Sequence, residues 1–125
     1  MILRHFWLMA AAFILALGLS AGAAADCARP DAPTVPDGDT ASLEQMLEAQ
    51  QAVVDYMDAG NAYLECLQKA QDRTVRAAGR DRQKREAAAE ADARRVEKHN
   101  AMVEDMEAVA ADFNVAREAF NAQQQ

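Results

Sequence analysis

The chain has 125 residues, with 20 acidic side chains against 13 basic ones, a formal charge of −7, two cysteines and two histidines. That length allows one small domain, and an acidic balance without aromatic interleaving among its basic residues argues against a nucleic-acid binder. Two distant cysteines with one histidine beyond the first 25 residues make a poor zinc set, and no C-x-x-C redox pair occurs.

Residues 1–25 read as an export signal. Arg4 and His5 form a basic start, Phe6 to Leu19 is apolar, and Ala23, Ala24 and Ala25 are the small residues that a signal peptidase accepts. Cleavage is predicted before Asp26, giving a periplasmic or secreted protein; an uncleaved anchor is the alternative, since the apolar run approaches the length of a membrane span. In an oxidising compartment an even pair of cysteines favours one disulfide, here Cys27 with Cys66.

Residues 26–40 are expected to form an extended arm. Pro30, Pro33 and Pro36 are three apart, which puts their rings on one face of a polyproline II helix. Thirteen steps from Cys27 to Thr40 span about 40 Å at about 3.1 Å each. Twenty-five helical steps from Ala41 to Cys66 span about 38 Å. The lengths match, so the disulfide closes if the chain turns at Pro36-Asp37-Gly38 and the arm runs back along the first helix. A disordered proline-rich tail is the alternative.

Residues 41–121 pattern as two helices, about 41–78 and 81–121. In the first, Leu43, Met46, Val53, Met57, Leu64 and Leu67 form an apolar seam widened by Leu47 and Val54, with Thr40 or Ser42 as cap and Glu44 in the first turn. In the second, Val96, Val103, Met106, Ala110, Phe113 and Phe120 share a face. Gly79 is the expected break and Asp81 the next cap; one unbroken helix is the alternative. A turn at Gly79 makes residues whose numbers sum to about 159 face each other. Gly60-Asn61 then meets His99-Asn100 in a polar layer. The fold class is all-α: an antiparallel, coiled-coil-like two-helix hairpin with a disulfide-tethered arm.

Candidate chemistry is sparse. His99, Met102 and Met106 lie on one helix face with Met57 opposite, a soft donor set that suits Cu(I); methionines at helical spacing more commonly fill core gaps. No cofactor motif or nucleophile-and-base pair is evident, and an enzyme is not expected. Charge is more informative. Residues 69–98 hold ten bases and six acids, densest in bases at Arg73, Arg76, Arg80, Arg82, Lys84 and Arg85. The hairpin should carry a basic tip on an acidic base, suited to an acidic protein surface or an anionic envelope surface.

Cys27-x-x-Pro30, Pro36-Asp37-Gly38, the Met46 to Gln50 stretch, Tyr63-Leu64-Glu65-Cys66-Leu67 and Asn100-Ala101 through Met106 to Phe113-Asn114 together resemble a family of small exported helical proteins of proteobacteria. The likeness covers most of the chain after the leader except its charged middle. It implies export and the paired cysteines but carries no activity. The expected role is a non-enzymatic envelope interaction module, whose partner is an envelope protein or a second copy of the chain. A chaperone-like holdase is the alternative, and copper binding comes third.

Overall fold

The computed structural model describes residues 27–125, so the expected signal peptide lies outside the described residues. Two helices, α1 (Leu43–Ala78) and α2 (Arg82–Gln123), pack antiparallel along their length, and the arm before α1 is tethered to it by a Cys27–Cys66 disulfide. No described helix is long and apolar enough to cross a membrane.

Each boundary has a local cause. Ser42 caps α1: its side chain accepts from the Gln45 amide (3.2 Å) while the Gln45 side chain accepts from the Ser42 amide (2.8 Å), a reciprocal capping box. Before it, the Asp39 amide donates to the Asp37 carboxylate at 3.0 Å, and the Thr40 and Ala41 amides both reach the Asp37 carbonyl. This turn reverses the chain from arm to helix. Gly79 ends α1, with φ +52° and ψ −123°. That is the first central position of a type II′ turn, rather than the left-handed helical residue expected at a C-terminus. The Asp81 amide closes the turn on the Ala78 carbonyl (3.1 Å), and the Asp81 side chain accepts from the Lys84 amide to cap α2.

The buried line of α1 runs Met46, Ala49, Tyr56, Gly60, Tyr63 and Leu67, with half-buried Val53 between. Its steps alternate three and four, as in a heptad seam. This corrects the expected seam: Leu43, Leu47 and Val54 are exposed at 62%, 57% and 48%, while Tyr56 and Tyr63 are buried in their place. The arm is the reason. It lies on the tyrosine flank of α1, so burial is centred between α2 and the arm rather than on the most hydrophobic stripe. On α2, Ala88, Met102, Val109 and Ala116 are buried, and His99, Met106, Phe113 and Phe120 are half-buried. Tyr56, Tyr63, Leu67, Met102 and Val109 form the central cluster, against which Cys27, Val53, Met57, Leu64 and Met106 pack.

Register follows the expected sum of 159 near the tip, where the Gln71 side chain donates to the Ala88 carbonyl at 3.0 Å. Farther down, Gly60 faces Met102 and Met106, a sum of 162 or more, and the expected polar layer does not form. Asn61 and Asn100 are exposed. The thioether ends of the two methionines occupy the space a side chain at position 60 would fill.

Candidate functional site

Two regions place chemistry where it can act: the hairpin tip and the groove that holds the arm. At the tip, Arg73, Arg76, Arg80, Arg82, Lys84 and Arg85 are all exposed. Among the described residues only Arg82 of these six forms an ion pair, to Glu86 at 2.9 Å. Lower on the hairpin, neighbouring bases are neutralised by Lys69 with Glu65 (2.6 Å) and Arg95 with Asp92 (2.7 Å). The structure therefore gathers the six bases at one end and leaves five of them for solvent. Position adds to this. The first turn of α2 contains no acid and carries Arg82, Lys84 and Arg85. The helix dipole there favours anions, and each cation opposes it by about 0.3–1 kcal/mol before screening.

Short side chains make the tip narrow. Ala78 and Ala88 are its buried residues, and Ala77, Ala87 and Ala89 surround them. The exposed bases flank two shallow apolar grooves of about 400 and 350 Å³, one lined by Thr74, Ala77, Ala78 and Lys84, the other by Val75, Ala78, Arg85 and Ala89. A partner carrying carboxylates around a small apolar side chain fits such a surface.

The arm groove is built differently. From Cys27, held beside Cys66 with a Cα separation of 5.6 Å, the arm descends between the helices to Gly38. Arg29 forms an ion pair with Asp105 of α2 close to Tyr56 and Tyr63. Its hydrogen bond to Asp105 raises the guanidinium pKa further, and the pair is exposed, so it orients the arm more than it stabilises it. Burial pushes the Tyr56 phenol up from its ordinary value, the Asp105 carboxylate adds to this, and Arg29 opposes it. Elsewhere among the described residues, exposed Glu65 is held below its ordinary value by its hydrogen bond to Lys69. Gly38 is buried so closely on α2 that a Cβ there would strike the Ala116 carbonyl oxygen. Around this turn Pro33, Val35, Pro36, Val109 and Ala116 line an open groove of about 470 Å³.

Met102 and Met106 turn their ends towards Gly60. Met102 has no exposed surface, so a copper ion could reach its sulfur only if the helices parted. His99 is half-buried on the same helix. Among the described residues no three His, Cys, Asp or Glu side chains cluster as metal ligands. Arg29 with Asp105 was not legible in the sequence, because the partners are 76 positions apart and neither sits in a motif. The tip was legible, because charge density survives without knowledge of packing. No protein-family model, curated protein or solved structure matches the chain.

Proposed function

We propose that this protein is an exported, non-enzymatic interaction module of the cell envelope that binds an acidic protein surface through its hairpin tip. One observation carries the reading: six exposed bases at one end, five without an ion pair, on a chain whose remaining described residues are strongly acidic. Ion-paired surface bases are common and need no function; Arg76 in the last turn of α1 suits the dipole there, whereas Lys84 and Arg85, without an ion pair in the first turn of α2, act against it. The disulfide supports an oxidising compartment. The rest of the hairpin then serves as a rigid stalk that holds the tip away from the acidic base.

The test is a photo-crosslinking residue in place of Arg76 in the intact envelope of the native host, with mass spectrometry of the adducts. One dominant protein adduct is expected, with yield falling about tenfold or more when Arg80, Arg82 and Arg85 are changed to Gln, as for loss of electrostatic steering. A broad set of immature envelope proteins would favour the holdase alternative. Absence of any adduct would overturn the tip as a binding site.

A further inference from the structure

A two-helix hairpin has two long grooves, one on each side of the plane through its axes. In this protein the arm fills one of them. On the other side the heptad spacing places Leu43, Leu47, Val54, Met57, Leu64 and Val75 of α1, facing the flank of α2 that carries Val96, Val103 and Phe113. Leu43, Leu47, Val54, Val75 and Val96 are among the most exposed large apolar residues, at 41–62%. Gln50, Asn61, Gln68 and Asp72 interrupt them on the same flank, but five exposed large apolar residues on one side of the hairpin are more than scattered surface hydrophobicity.

We infer that this uncovered face takes a second copy of the chain, packed antiparallel about a two-fold axis that passes near Val103. Three features select this occupant and this direction. First, size. From Leu43 to Val75 the face is about 48 Å long, and two helices of about 10 Å diameter make it about 20 Å wide. That gives about 1,000 Å² per copy, above the roughly 800 Å² per partner of a stable interface. Second, shape. The base end of the face carries the bulky Leu43, Leu47 and Phe113. The tip end is a groove of about 350 Å³ lined by Val75, Ala78, Ala88 and Ala89 together with Gln71, Arg85 and Asp92. Antiparallel overlap sets Leu43 level with the partner's Val75 and lays the bulky end of each copy into the alanine groove of the other. Parallel packing would oppose bulk to bulk and leave two grooves empty.

Third, charge. Residues 69–98 carry a net +4, and the other described residues, with Arg29 and Arg117 as their only bases, carry −11. Antiparallel packing brings Arg82 and Arg85 on the tip to the level of the partner's Asp39 and Glu44. Parallel packing stacks like on like, which costs association in both affinity and rate. A two-fold interface is self-complementary, and this face is complementary to itself only when reversed. The pairing and the tip site share Arg82, Arg85 and the groove beside Val75, and the adduct from Arg76 tells them apart: a second copy of this chain is the pairing inferred here, and a different protein is the tip partner.

Sedimentation equilibrium of the protein purified with its disulfide intact tests the pairing, and engineered cysteines test its direction. A dimer is expected, weakened about 100-fold or more by Val54→Glu with Val103→Glu, because two charges per copy would be buried unpaired. Both residues are at least partly exposed in the single chain, so helicity by circular dichroism should be unchanged. Mixing Leu43→Cys with Val75→Cys protein should give a cross-linked heterodimer, while Leu43→Cys alone should not cross-link to itself. A protein that stays monomeric at about 100 μM, well above the range of a specific complex, would overturn the inference. So would a dimer indifferent to the glutamates, or Leu43→Cys cross-linking with itself. The cysteine pair keeps the question decidable if the double-glutamate variant fails to fold.

Discussion

A methyl group added at Gly38 would run into the carbonyl oxygen of Ala116, which is helical backbone two turns before the end of α2 and has nowhere to go. The turn would have to lift from the helix, losing the contact that seats the lower arm. At Gly60 the same methyl would approach the Met106 sulfur at 2.7 Å and the Met102 terminal carbon at 2.9 Å. Both are ends of flexible side chains that can swing by a few tenths of an ångström. Alanine in place of glycine within a helix also gains about 0.8–1 kcal/mol of propensity. Gly38→Ala is therefore expected to destabilise by about 1–3 kcal/mol, as overpacking typically does. Gly60→Ala should stay within about 1 kcal/mol of the parent, on either side. Urea unfolding of the two variants checks this, and the reverse order would show that the turn, not the methionine pair, is the yielding part.

At the scale of elements, the arm does what a third helix does in a larger bundle: it covers one groove of a hairpin too thin to close its own core. It is held by the disulfide, by Arg29 with Asp105 and by Gly38 on Ala116, and these differ in weight. Cys27 and Cys66 are 39 positions apart, for which the chain-entropy model gives about 4 kcal/mol. The exposed ion pair is screened by solvent and weighs far less than the covalent link. Replacing both cysteines by serine should thus lower unfolding free energy by about 2–4 kcal/mol, and Arg29→Gln by clearly less. Equal losses in a denaturant series would mean that the ion pair, rather than the covalent link, seats the arm. Much of this element was readable beforehand: the proline spacing, the match between arm and helix lengths, the Ser42 cap and the break at Gly79 are all local chemistry. Lateral position was not. Leu43, Leu47 and Val54 are more apolar than Tyr56 and Tyr63, so periodicity alone drew the seam along them; only the arm's choice of flank buries the tyrosines. Register was readable where the turn fixes it, at Gln71 with Ala88, but the neighbours of Gly60 were not, since the ends of Met102 and Met106 cover it in place of His99 and Asn100.

Taken as a whole, the molecule has most of its large buried side chains around its middle, with Met46 nearer the base, and its basic charge at the tip. Tyr56, Tyr63, Leu67, Met102 and Val109 cluster around the middle of the hairpin, close to the disulfide. Beyond Leu67 the buried side chains are Ala78 and Ala88, which bury little area and make few dispersion contacts. The cross-helix bond from Gln71 to Ala88 is the last polar tie before the turn. Opening of the tip therefore breaks few contacts, whereas opening of the middle breaks the cluster and strains against the covalent loop. Local stability should fall steadily from the middle to the turn. Native-state hydrogen exchange reads this directly: amides of Tyr63 to Leu67 and Met102 to Val109 should exchange only by global unfolding, and those of Val75 to Ala78 and Ala88 to Ala91 by smaller openings. The difference should be about 2 kcal/mol or more, within the range that separates local from global opening. The gradient also serves the proposed tip. Arg73 to Arg85 would sit on the part of the hairpin that adjusts most cheaply, so a partner could be fitted by small shifts of alanine-lined backbone without disturbing the arm or the core. Uniform protection along both helices would contradict this division and would require packing at the tip beyond what two alanines supply.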